Sequence, residues 1–107
     1  MNKKFIIRKN EEIQEIVKTS KKIVSKYFIV YYRKNDYSYN RFCISVSKKI
    51  GKAHTRNLFK RRIKDILIKN KLNYSNDYVI ILMNAVTDIL YDKMKYELLD
   101  VLKGVKL

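Results

Sequence analysis

No proline interrupts the 107 residues, and glycine occurs only twice. That poverty excludes a collagen-like repeat and a Pro- or Gly-rich linker. One cysteine, Cys43, excludes an internal disulfide framework and a CxxC metal site. Tryptophan is missing, and histidine occurs once, as His54. Neither a histidine pair nor a Ser/His/Asp set can be built around that one imidazole. Capping or contacting phosphate at a helix start is the role His54 suits better. No apolar run approaches the roughly 18–20 residues of a membrane span. The basic start, Met1 to Arg8, holds an apolar stretch far shorter than a secretory h-region. Together with a free thiol, these absences lead us to expect a cytoplasmic protein without a membrane partner. Acidic residues are also scarce, with 10 Asp and Glu against 25 Lys and Arg and a net charge of +15.

Apolar residues make up 47% of the chain, enough for a core, so disorder from lack of hydrophobes is excluded. The length is that of one ordinary domain, here spanning 1–107. The charge is uneven. Residues 1–76 carry 21 basic and 5 acidic side chains, whereas residues 77–107 carry 4 and 5. Between Arg41 and Lys64 there are nine basic residues and no acid. A one-sign field of that density repels itself and needs a polyanion to meet. Nucleic acid fits better than an acidic membrane surface, since a core-forming chain is not the long amphipathic helix that membrane binding favours.

Asn10 with Glu11 and Glu12 opens a helix over about 10–19, its acids placed against the dipole and Ile13, Ile16 and Val17 on one face. Residues 27–32 are β-branched and aromatic, hence a strand. The polar Asn35–Ser38 turn leads into a strand at 41–47, where Phe42, Ile44 and Val46 alternate with Arg41, Cys43, Ser45 and Ser47. Gly51 breaks that strand. A long helix follows from about His54 to Leu72, with His54 or Thr55 near its cap. The apolar run 78–83 suits a central strand covered on both faces. Thr87–Asp88 marks a last helix carrying Tyr91, Met94, Leu98, Val101 and Leu102. The order is α-β-β-α-β-α, an α+β sandwich of one sheet with helices. Phe28, Ile44, Val46, Phe59, Ile63, Ile80, Leu82 and Leu98 are expected in its core.

On the long helix Phe59, Ile63, Ile66 and Leu67 form the stripe that should face the sheet. Arg56, Lys60 and Lys64 recur at i, i+4 and i+8 beside it, flanked by Asn57 and Arg61. Lys48, Lys49 and Lys52 lead into the same helix end, whose free N–H groups add to the positive field. Arginine offers two donors to two phosphate oxygens, lysine a point charge, and asparagine a neutral donor and acceptor. Acids at i±4 to pair with these bases are almost absent. Aromatic residues are numerous, with nine Tyr and four Phe. Phe28, Phe42 and Phe59 read as core. Tyr31 reads equally as core or as a stacking platform for an unpaired base.

The stretch from Ser45 to Lys64, with Ser-Lys-Lys closing a strand, a Gly turn, and a helix bearing Arg56-Asn57 and then Lys60-Arg61, resembles the signature of the bacterial ribonuclease P protein subunit. Chain length and element order fit the same family. The resemblance implies an α-β sandwich with a left-handed β-α-β crossover, a rare exception to the right-handed rule. It implies a holoenzyme in which an RNA subunit holds the catalytic centre and its Mg²⁺ and removes the 5′ leader of precursor tRNA by phosphodiester hydrolysis. The partners so implied are the catalytic RNA and precursor tRNA, with no obligate protein partner. By position, Lys48, Lys49, Gly51, Lys52, Arg56, Asn57, Lys60, Arg61 and Lys64 match the motif that meets the catalytic RNA. Ile13, Val17, Phe28 and Tyr31 match the cleft for the single-stranded leader, with Arg41 and Ser45 on the polar face of the neighbouring strand. Leu58 stands where the family usually has the second Arg of Arg-Asn-Arg, Lys64 where Arg is common, and Ile13 and Val17 where Phe is frequent.

A structural RNA-binding protein, such as a small ribosomal protein, would share the basic single domain but need no cleft for a free strand. A helix-turn-helix DNA binder fits less well, because a strand runs straight into the basic helix. An independent nuclease fits least, because the scattered carboxylates supply no evident metal ligands or general base.

Overall fold

The computed structural model describes residues 1–72 and 75–105. Three helices, α1 (Asn10–Thr19), α2 (Ala53–Lys69) and α3 (Tyr91–Lys103), accompany four strands, β1 (Lys21–Val24), β2 (Phe28–Lys34), β3 (Arg41–Val46) and β4 (Asn76–Leu82). The sheet order is β1-β2-β4-β3. β1–β2 and β2–β4 are antiparallel, and β3–β4 is parallel. Parallel neighbours need a crossover, and α2 supplies it.

β4 lies in the middle and is buried on both faces at most positions, as its unbroken apolar run requires. Period two divides the sheet. Phe28, Val30, Tyr32, Phe42, Tyr78, Ile80 and Leu82 point to the face covered by α2 and α3, where they meet Phe59, Ile63, Ile66, Leu67, Met94 and Leu98. Burying each such side chain is worth about 1.5–3 kcal/mol. The opposite face carries Tyr31, Cys43, Val79 and Ile81 under α1, which contributes Ile13, Ile16 and Val17.

Four expectations are corrected. Strand β1 lacks a readable pattern: it has four residues, and only Ile23 is even half-buried. A short lysine-bearing edge strand resists further pairing and carries little apolar signal. Ile44 and Val46 are half-buried, not buried, because β3 is an edge strand. Helix α2 begins one residue before His54, with Lys52 at its N-cap and no side-chain cap. It ends at Lys69, where the Asn70 side chain donates to the Ile66 carbonyl at 2.8 Å and takes over a terminal acceptor. Thr87 and Asp88 belong to a 3₁₀ turn, Asn84–Asp88, whose Thr87 hydroxyl donates to the Asn84 carbonyl. Helix α3 starts only after the extended Ile89 and Leu90.

Candidate nucleic-acid interface

Gly51 joins the 3₁₀ turn Lys48–Ile50 to α2. Its backbone passes Thr55 so closely that a Cβ would lie 2.9 Å from Thr55 Cγ2, so glycine permits the close approach that sets Lys48, Lys49 and Lys52 just before the helix start. All three are exposed. One turn on, His54, Asn57, Lys60, Arg61 and Lys64 line a shallow depression of about 490 Å³. Among the described residues, Arg56, Lys60, Arg61 and Lys64 have no ion-pair partner, whereas Arg33, Arg41, Lys69 and Lys93 do. Arg62 is different again: its guanidinium lies over the Phe59 ring at 5.7 Å, turned toward the core.

The basic stripe reaches the sheet edge. Lys60 and Lys64 line a second, smaller hollow of about 150 Å³ together with Phe42, Cys43 and Ile44 of β3 and Ile6 and Ile7 of the N-terminal segment. That segment is held to the outer edge of β3 by the Ile7 amide, which donates to the Phe42 carbonyl at 2.8 Å. Burial pushes the Cys43 thiol up, and the Lys60 charge pulls it partly back. Lys60 therefore projects its field onto the α1 side of the sheet as well as onto α2.

On that side Ile13, Val17 and Tyr31 come together, all half-buried, with Cys43 and Ile81 beside them. Ser45, exposed, pairs in register with Ile81. Lys22, also exposed, stands opposite Tyr31 on β1. These half-buried side chains form an apolar trough between α1 and the sheet, with Lys22 at its margin.

Two expected members of the trough play other parts. Phe28 is fully buried in the core under α2 and α3, because it is three residues from Tyr31 and strand parity turns it to the other face. Arg41 is a buried structural residue. Its Nε and Nη2 donate to both oxygens of Asp77 at 2.9 and 2.8 Å, its Nη1 donates to Glu12 at 3.2 Å, and its guanidinium lies 4.5 Å over the Tyr37 ring. Hydrogen bonding to Asp77 raises its pKa further, against the opposing effect of burial. Burial alone would raise the Asp77 carboxyl; the hydrogen bonds from Arg41 and Asn35 and the Arg41 charge hold it below the usual carboxylate range. Cys43 and Ile81 were not singled out from the sequence. The alternation of β3 already put Cys43 on the polar face, but Ile81 sits in an unbroken apolar run that has no readable face.

Among the described residues no group of three or more His, Cys, Asp or Glu is placed to hold a metal ion, and no helix is long and apolar enough to cross a membrane. Among the described residues the side chains do not form a site for Mg²⁺.

Residues 1–106 match the family model described as Ribonuclease P. The chain is 40% identical over 110 residues to the ribonuclease P protein component of Mycoplasma mycoides, covering 99% of this chain and all of that relative. Its fold is similar to that of the Thermotoga maritima RNase P protein, with a TM-score of 0.88, 30% identity, and coverage of 94% of this chain and 97% of the other. A mutant Staphylococcus aureus RNase P protein with defective mRNA degradation activity superposes with a TM-score of 0.89 at 33% identity, covering 94% of this chain and 87% of that one.

Proposed function

The chain belongs to the ribonuclease P protein family and is a protein component of that tRNA-processing enzyme; from that premise we propose how its two surfaces divide the work. The face of α2 that carries Arg56, Asn57, Lys60, Arg61 and Lys64, with Lys48, Lys49 and Lys52 before it, binds the catalytic RNA through phosphates. The trough formed by Ile13, Val17, Tyr31, Cys43, Ile81 and Ser45 receives the single-stranded 5′ leader of precursor tRNA. Phosphate contacts supply affinity and register. Tyr31, half-buried beside Ile13 and Val17, offers a platform on which an unpaired base can stack whatever its identity. Mg²⁺ and the hydrolysis of the phosphodiester bond belong to the RNA subunit, and the chain contributes binding and orientation.

One observation carries this reading: the unpaired, one-sign face of α2 reaches β3 at Lys60 and Lys64, where the hollow they line includes Cys43, which also borders the trough. An RNA held on the helix and a strand held in the trough are thereby brought to one edge of the molecule. A purely structural RNA binder has no use for the trough.

The test uses the wild-type chain reconstituted with catalytic RNA in Mg²⁺. Precursor tRNA should be cleaved by the reconstituted enzyme and left intact by the chain alone. Cys43 is the only thiol, so its rate of alkylation by iodoacetamide reports occupancy of the trough. Leader-bearing precursor should slow that rate, and leaderless mature tRNA should not. Cleavage by stringently purified chain alone would overturn the division of labour. Equal alkylation rates with precursor and mature tRNA would remove the leader from the trough.

A further inference from the structure

We infer that Asp77 is a positioning residue for leader binding: through Arg41 and Arg33 its carboxylate holds α1 at the height over the sheet that keeps the trough open. The inference rests on the leader reading above and adds what sets the geometry of that site.

Asp77 is 1% exposed and sits on the α1 side of the central strand. Its oxygens accept from Arg41 twice, from Asn35 Nδ2 at 2.9 Å and from Arg33 Nε at 3.4 Å. Each arginine then extends a second arm to α1. Arg41 Nη1 donates to Glu12 at 3.2 Å, and Arg33 Nη1 donates to Glu15 at 3.0 Å. Glu12 and Glu15 are three apart and so share one helix face. Among the described residues these two bridges are the side-chain hydrogen bonds that join α1 to the sheet.

Apolar packing does not fix α1 in their place. Only Ile16 of this helix is buried; Ile13 and Val17 remain half-open over the trough. A helix with one buried side chain can shift or tilt at little cost, whereas two bidirectional arginines gripping one buried carboxylate allow a narrow range of positions. The charged arms thus set the height and tilt of α1 over the sheet, where Ile13, Val17 and Tyr31 stay half-buried. The α2 stripe takes no part: Arg56, Lys60, Arg61 and Lys64 make no ion pair with Asp77, Glu12 or Glu15. Position of α1 and affinity for the catalytic RNA should therefore separate experimentally.

The holoenzyme is reconstituted with the wild-type chain, with Asp77→Asn, and with the double variant Glu12→Gln/Glu15→Gln. Affinity is measured for precursor tRNA and for leaderless mature tRNA, and each chain is titrated separately against the catalytic RNA. Asp77→Asn should lower the precursor-to-mature affinity ratio by about fivefold to tenfold, and the double variant by about twofold to threefold, in line with couplings inside shared networks. Affinity for the catalytic RNA should stay within about twofold of wild type, as expected for sites without shared partners. A parallel loss of both affinities would reduce the network to general structural support, and an unchanged ratio in the double variant would overturn the inference even if Asp77→Asn failed to fold. A wild-type ratio near one would instead refute the leader reading itself.

Discussion

The two faces of the single sheet are built on different principles. Under α2 and α3 lies a continuous apolar core running from Phe28 through Ile63 and Ile80 to Leu98. Under α1 the fully enclosed cluster is Ile7, Ile16 and Val79; Ile13, Val17, Tyr31, Cys43 and Ile81 pack around it half-buried, and two ion pairs tie the helix to the sheet. One face provides stability by excluding water. The other gives up burial for an accessible surface and replaces lost packing with a buried carboxylate gripped by two arginines. The same contrast separates the basic residues: Arg33 and Arg41 are committed to carboxylates, whereas the α2 stripe is left unpaired. Paired bases build this fold; unpaired ones remain available for a polyanion.

Replacing the same side chain on each face tests the contrast most strongly. Ile63→Ala should cost about 4 kcal/mol, because the core under α2 cannot collapse around the hole; Ile16→Ala should cost about 2 kcal/mol, because the half-buried side chains around it can relax into the hole. Urea titration measures both, and equal losses would erase the distinction. Acid should act through the α1 face next. The Asp77 carboxyl lies below its ordinary value when folded, so its contribution is present above the unfolded carboxylate pKa of about 3.9 and lost as pH falls through the lower folded value. The urea midpoint should drop below about pH 4, and Asp77→Asn should flatten that drop.

Subtler effects belong to the unpaired stripe. Each phosphate contact releases condensed counterions, so log affinity for the catalytic RNA should fall linearly with log salt, and Lys60→Ala should reduce the slope by about one unit. Arg56→Lys should weaken binding while keeping the charge, since an ammonium cannot reproduce a two-pronged contact. Leu58→Ala should be the smallest change: the side chain is exposed and uncharged, so stability should move by no more than about 0.5 kcal/mol with the salt slope untouched. An unchanged slope for Lys60→Ala at full affinity would place the RNA surface elsewhere.

Local periodicity made much of this legible in the chain. The 3.6-residue spacing of Phe59, Ile63, Ile66 and Leu67 located the buried face of α2, and their burial leaves Arg56, Lys60 and Lys64 beside it. Alternation in β3 separated Phe42 from Cys43 and Ser45. Phe28 and Tyr31, three residues apart on a strand, fall on opposite faces by the same period of two, so the alternation of β2 already separates the core residue from the trough residue. Arg41 differs for another reason. Alternation put it on the polar face, but nothing nearby in the chain reveals that Asp77, 36 positions away, lies beneath it.

What the chain determined by itself is therefore what depends on neighbours three or four residues away: three helices, three of the four strands, the apolar faces, and a basic stripe without acids. What only the tertiary structure decided is the β1-β2-β4-β3 order, the edge position of β1, and the meeting of Arg33, Arg41, Glu12, Glu15 and Asp77. The physical reason is register. Arg33 and Arg41 both stand opposite Asp77 in the β2–β4 and β3–β4 ladders, and that alignment is set by which strands pair, a choice made by burying the whole sheet and not by any one segment.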